Sequence, residues 1–178
     1  MFSNIPRKKR HTAGIDEISA KDFENNKKIF LTNISRALLA NDYKPSPLVA
    51  HFIPKNNGKD WVICVPTITD RLVQRAVLNY LNNKGYTLDN EISFGFIKGQ
   101  DNGIKPSLYR AVELRNSSGW AYKADISAFF DTVDRDLLKQ AVTKKIRAAS
   151  IRKLVSSFID TEVKVRNSSE KNKLNKNG

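Results

Sequence analysis

The chain is nearly devoid of sulfur: its 178 residues include one cysteine, Cys64, and one methionine, Met1. A single cysteine excludes an internal disulfide and a cysteine-based zinc site, and it suits a reducing compartment. No segment approaches the roughly 18 consecutive apolar residues of a membrane span. No apolar run follows the basic N-terminus to make a secretory signal. The expectation is a soluble, cytoplasmic protein without a membrane partner. Acidic residues are also scarce: 18 Asp and Glu stand against 31 Lys and Arg, a formal charge of +13. Such an excess favours a polyanionic partner, because each cation laid on a phosphate releases condensed counterions. A basic surface kept only for solubility is the bland alternative, and it would have to bear the self-repulsion. RNA or DNA is favoured over a lipid surface, since no segment pairs a basic face with a long apolar one.

What is present reads as alternating helices and hairpins. Residues 1–18 form a basic arm. Ser19-Ala20-Lys21-Asp22 fits a capping box, and Phe23, Phe30, Ile34, Ala37 and Leu38 follow at helical spacing, ending near Asn41. Two extended runs, 48–54 and 61–65, flank an Asn57-Gly58 pair, the strongest short hairpin signal. Thr69 or Asp70 is expected to cap a helix reaching Asn83 and stopped by Gly85, with Leu72, Val73, Ala76, Val77, Tyr80 and Leu81 inward. Pro106 opens a third helix with Leu108, Ala111, Val112 and Leu114 inside. Residues 120–126 read as a central strand, and Asp134 caps a helix carrying Leu137, Leu138, Ala141, Val142 and Ile146. A last helix covers about 150–159, and 161–166 alternates like a short strand. The final residues are polar and have nothing apolar to order them. This pattern points to an α+β fold rather than a doubly wound one.

The most informative stretch is 122–131, Tyr-Lys-Ala-Asp-Ile-Ser-Ala-Phe-Phe-Asp. A short apolar strand ends on an acid, Asp125, and a turn with Phe129 and Phe130 closes on Asp131. Magnesium takes oxygen ligands and binds through one or two carboxylates together with substrate phosphates. An acid at a rigid strand tip suits that task, though a turn or cap residue is an equal reading for Asp125 taken alone.

Asp125-Ile126-Ser127-Ala128-Phe129-Phe130-Asp131 resembles the first catalytic motif of reverse transcriptases, especially the bacterial branch of group II intron and defence-associated enzymes. Further segments in the same order are similar to that branch. They are Ala13-Gly14-Ile15-Asp16, Tyr43-Lys44-Pro45-Ser46-Pro47, Ile53-Pro54-Lys55 with Gly58, and Val65-Pro66-Thr67. Asp70-Arg71-Leu72-Val73-Gln74-Arg75-Ala76-Val77 and Ser93-Phe94-Gly95-Phe96 complete the series.

The resemblance implies a right-hand polymerase fold, with a basic arm at 1–18, fingers over 19–118, a partial palm over 119–166 and a polar tail at 167–178. It implies an RNA-directed DNA polymerase of a mobile element or defence system, working with an RNA template, a DNA or RNA primer and deoxynucleoside triphosphates. Two Mg2+ ions would serve the complete enzyme, with Asp125 a ligand to both and the Ile126 carbonyl helping to hold one. Phe130 would pack against the incoming sugar and collide with a 2′-hydroxyl, unless it is a core aromatic. Lys55 and Lys59 would face the triphosphate, unless they are ordinary hairpin-tip lysines that deter edge pairing. Arg7, Lys8, Lys9, Arg10, Arg75 and Lys98 would contact RNA, although Arg7–Arg10 also reads as a nuclear address.

The chain departs from the family in three places, one of them Ile97 and Gln100, which stand where arginines are common and leave Lys98 as the only cation of that loop. Similar enzymes carry an arginine just after the hairpin turn, whereas here Trp61 stands near that place and Arg71 is the next arginine. Arginine offers a bidentate fork that lysine does not, so Arg71 is the candidate substitute. The 178 residues also contain no Tyr-x-Asp-Asp hairpin. The expectation is a fragment that is inactive alone, with a partner chain one possible source of the remaining palm. A non-catalytic, maturase-like RNA-binding module is the alternative function, and a decayed remnant is a third.

Overall fold

The computed structural model describes residues 12–55, 60–86, 93–95, 103–126, 129–167 and 170, the side chains of 130 and 131 excepted. The basic residues 7–10, Lys59 and Lys98 lie outside that set. The chain divides into two compact units, one formed by Met1–Lys84 with Asp134–Gly178, the other by Gly85–Val133.

In the first unit, Ser19 caps helix α1 (Ala20–Asn25) through the expected box. Its hydroxyl accepts from the Asp22 N–H, and the Asp22 carboxylate takes the Ser19 backbone N–H at 3.0 Å. The single helix expected here is interrupted at Asn26, whose φ of −111° and ψ of 20° leave the helical region, and α2 (Lys27–Leu39) begins after it. The interruption lets Phe23 and Phe30 stack with centroids 5.1 Å apart. Phe23 is fully buried and, with Ile34, Ile68, Leu72 and Val73, makes the core. Burying a side chain of that size stabilises by about 1.5–3 kcal/mol.

Strands β1 (Leu48–Pro54) and β2 (Asp60–Val65) form the expected antiparallel hairpin, with Ile53 opposite Trp61 and His51 opposite Ile63. Helix α3 (Ile68–Asn83) starts two or three residues earlier than expected. Thr67, not Thr69 or Asp70, is the cap, because its hydroxyl accepts the Asp70 N–H. The left-handed Gly85 (φ 69°) follows its end, as the glycine stop requires. Leu72, Val73 and Leu81 are buried as expected, while Ala76, Val77 and Tyr80 are half-buried.

In the second unit, α4 (Ile104–Ser117) forms but buries nothing. Leu108, Val112 and Leu114, expected inside, are exposed. Their helical spacing marks a face, yet spacing cannot supply the surface that covers it. The four-residue helix α5 (Phe129–Thr132) completes this unit.

The first unit resumes at Asp134, which caps α6 (Arg135–Lys145) as expected by accepting from the Asp136 and Leu137 N–H groups at 2.8 and 2.9 Å. Only Ile146 among its intended core residues is buried, and Leu137 and Leu138 are exposed. Lys139 bridges Asp136 and Asp160, joining α6 to the end of α7 (Ala149–Ile159). Leu154 and Phe158 of α7 pack against the core. The strand expected at 161–166 shortens to β3 (Val163–Lys164), which runs parallel to β1 and sets the sheet order β2-β1-β3.

The segment after residue 12 is bound tightly to the start of α3. Arg166 donates to the Ala13 and Gly14 carbonyls at 3.4 and 3.3 Å. Arg71 donates to the Thr12 carbonyl. A Cβ at Gly14 would fall 2.6 Å from Thr67 Cα and 2.7 Å from Thr67 N, both backbone atoms that cannot swing aside. Gly14→Ala should therefore lower unfolding stability by about 1–3 kcal/mol. Gly119→Ala, whose Cβ would meet nothing within 4 Å, should stay within about 0.5 kcal/mol. Denaturant unfolding of the two variants checks the contrast.

Candidate functional site

Asp125 lies in the second unit, outside any helix or strand, and is exposed. The expected central strand at 120–126 is thus corrected: no ladder forms on it among the described residues, and Trp120, Tyr122 and Ile126 stand open, Trp120 at 79% exposure. The physical reason is pairing. A strand is stable only when its N–H and C=O groups meet a neighbouring strand and its face meets a core. Asp125 with the Ile126 carbonyl supplies oxygen donors of the kind magnesium accepts. Their number is small, however: no cluster of three or more His, Cys, Asp or Glu forms among the described residues. Two such donors leave most of an octahedral ion's positions to other ligands. Phe130 and Asp131 fall within the α5 turn, and their side chains lie outside the description.

Lys55, Arg71 and Arg75 belong to the first unit. Lys55 follows β1, and its Nζ sits 5.9 Å from the centroid of the Trp61 ring. Arg71 and Arg75 share a face of α3, one turn apart. The Arg71 guanidinium is directed to main-chain oxygens, donating to Thr12 and, through Nε at 3.4 Å, to Thr67. Partial desolvation lowers its pKa, opposed by the charge of Asp16. Desolvation raises the pKa of Asp16, offset by the Ile18 N–H bonded to its carboxylate at 3.2 Å; Asp70 adds to the rise and Arg71 opposes it.

At the same helix start lies a buried acid. Asp70, 1% exposed, accepts the Tyr43 hydroxyl at 2.8 Å, the Ser46 N–H at 3.2 Å and the Thr67 hydroxyl at 2.6 Å. Three donors satisfy a charge that would otherwise be costly to bury. Burial, and after it the Asp70 charge and hydrogen bond, push the Tyr43 phenol far above its ordinary value of 10.0.

Against known proteins, residues 53–178 match the family model described as "Reverse transcriptase (RNA-dependent DNA polymerase)". The chain belongs to the reverse transcriptase family. It is 29% identical over 148 residues to "Protein YkfC" of Escherichia coli (strain K12), a match covering 82% of this chain and 39% of that protein. It is 26% identical over 160 residues to "Group II intron-encoded protein LtrA" of Lactococcus lactis subsp. cremoris, covering 89% of this chain and 25% of that protein. The chain therefore spans well under half the length of these curated relatives. The family match begins at Ile53 and includes Lys55, Arg71, Arg75, Lys98, Asp125 and Phe130. The α+β fold expected from the sequence agrees with the mixture of helices and a small sheet in the structure. Among the described residues no helix is long and apolar enough to cross a membrane.

Sequence reasoning missed the assembly around Asp70. One signal was available, because Thr67-Ile68-Thr69-Asp70 before an apolar run is itself a capping pattern. Tyr43 and Ser46 carry no local signal for this contact, which joins residues more than 20 positions apart.

Tyr43→Phe should lower stability by about 1–3 kcal/mol near neutral pH by removing a donor from a buried carboxylate. The native phenol keeps its proton where the unfolded phenol loses it. Its contribution is therefore complete below the ordinary value of 10.0 and declines as pH rises past it. Denaturant midpoints taken across that range should fall for the native chain and fall less for Tyr43→Phe.

Proposed function

We propose that the chain is the nucleic-acid-engaging and nucleotide-engaging part of an RNA-directed DNA polymerase of a bacterial mobile element or defence system. The observation that carries this reading is the family match running through Asp125-Ile126-Ser127-Ala128-Phe129-Phe130-Asp131. The relative named as an intron-encoded protein favours the mobile-element setting. The fingers extend over 19–118 and the palm begins at 119. In the complete enzyme the 120–126 segment gains strand neighbours, which would fix Asp125 in place.

Asp125 is the residue that would hold Mg2+, with the Ile126 carbonyl beside it. Bound there, two such ions would neutralise charge on the attacking and leaving oxygens of nucleotidyl transfer. The chain's own residues bind and orient. Lys55 and Lys59 attract the triphosphate. Arg71 reaches it only by giving up the Thr12 carbonyl. Phe130 closes on the sugar and disfavours a 2′-hydroxyl. Arg7, Lys8, Lys9, Arg10, Arg75 and Lys98 take the phosphates of the RNA template and its primer.

The charge of +13 favours a second reading, a maturase-like module that binds RNA without catalysis. Primer extension separates the two. A polypeptide spanning the full length of the family's polymerases should extend a DNA primer on RNA in Mg2+, and Asp125→Ala should abolish product by at least about a hundredfold. Undiminished synthesis in that variant rejects the polymerase assignment of Asp125. The 178-residue chain alone should give no product, since one motif carboxylate does not hold two ions. Under the second reading it should still bind RNA, with affinity falling steeply as salt rises and indifferent to both Mg2+ and Asp125→Ala.

A further inference from the structure

We propose that the hollow between the end of α2, the middle of α3 and α7 is a binding site for a small amphipathic monoanion, a compact apolar body carrying one carboxylate or sulfonate. All of its lining belongs to the first unit. The hollow measures about 370 Å³ and is walled by Leu38 of α2, Val73, Ala76 and Val77 of α3, and Ile151 and Leu154 of α7. The sequence explains the space. Val73, Ala76, Val77 and Tyr80 recur at i, i+3, i+4 and i+7 and so form one stripe of α3. An alanine stands within that stripe, and Ser150 and Ser157 stand on the α7 side, so short side chains leave the space unfilled. The half-burial of Ala76, Val77 and Tyr80 follows, since each lines the hollow.

Size and charge select the occupant. An apolar cavity of about 150 Å³ accepts one benzene, so this hollow has room for about two rings. A docked helix, about 10 Å across, would need a groove several turns long. Tyr43 contributes its ring and not its hydroxyl, which Asp70 takes at 2.8 Å. Water inside such walls meets few partners, and an apolar body that displaces it gains affinity. The exposed end of the lining is polar, with Asn41, Asp42, Lys44 and Lys153. Lys153 gives one of its three N–H donors to the Asn41 carbonyl at 2.9 Å, across the gap between α7 and the end of α2. Lys44 stands 3.8 Å from Asp42 in an exposed pair that binds weakly. Two ammonium groups against one carboxylate give this rim a single positive charge. A carboxylate or sulfonate there accepts from Lys153 in a charge-assisted hydrogen bond, whereas a cation is repelled and a neutral body gains nothing from the charge. A molecule so seated touches all three helices, and binding the folded state alone raises unfolding stability.

Naphthalene-2-carboxylate, with two rings and one carboxylate, is the probe, and its neutral amide is the control. Calorimetric titration of the 178-residue chain should show one site with a dissociation constant of about 10–1,000 µM. The amide should bind roughly threefold or more weakly. Lys153→Gln should bring the two ligands to equal affinity without changing that of the amide. Ala76→Phe, which fills the hollow, should weaken both by at least about tenfold. Methyl NMR of the native chain locates the ligand whether or not that variant folds. Signals of Val73, Val77, Ile151 and Leu154 should shift along the binding curve, and those of Leu108 and Val112, exposed on α4, should not. Absence of saturable binding, equal affinity for acid and amide in the native chain, methyl shifts confined to α4, or unaltered binding in a folded Ala76→Phe would each overturn the proposal. The titrations contain no nucleic acid, metal or triphosphate, so their failure leaves the polymerase reading standing, and loss of primer extension leaves this site standing.

Discussion

The first unit depends on one buried carboxylate. Asp70 sits one turn into α3 and is reached from three directions, by Thr67 from its own helix start, by Tyr43 and by the Ser46 backbone. The 43–47 segment, with Pro45 and Pro47, has few backbone donors of its own and no regular structure. Asp70 gives it a fixed attachment. That attachment places the entry of β1, and β1 in turn carries β2 on one side and β3 on the other. Asp70 thus links the helical core to the hairpin, using interactions that strengthen as water is excluded.

Around the same helix start, Gly14 packs on the Thr67 backbone while Arg71 and Arg166 grip the carbonyls of residues 12–14. Two guanidinium groups spent on main-chain oxygens are unusual in a protein whose positive charge otherwise suits phosphate. They hold residues 12–14 in place. Arg71 therefore has structural work already.

Local signals were sufficient wherever a few adjacent residues decide the outcome. Ser19 and Asp22 cap α1, Asp134 caps α6, Gly85 ends α3, and the hairpin forms with strands at 48–54 and 60–65. Capping and turn preferences act within a single turn of chain and need no distant partner. The break at Asn26 was not legible, because the apolar spacing from Phe23 to Leu38 fits one continuous helix. Aromatic stacking of Phe23 on Phe30 belongs to the packed state. The largest differences concern burial: Leu108, Val112 and Leu114 on α4, Leu137 on α6, and Trp120 and Tyr122 beside Asp125 have the pattern of inward faces yet stand open. Periodicity states that a face exists, and only a neighbouring element can close it.

The order of residues by itself determined the family, the caps of α1 and α6, the hairpin and the acid around which the chemistry is expected, since each of these is written in short motifs whose spacing survives without a fold. Tertiary structure alone decided which polar groups are consumed and which are left over. It buried Asp70 under a tyrosine from 27 positions away, turned Arg71 toward the backbone, and left Trp61 open beside Lys55. Those outcomes follow from the competition between distant groups for the same donors and the same dry volume, a competition no local segment can register.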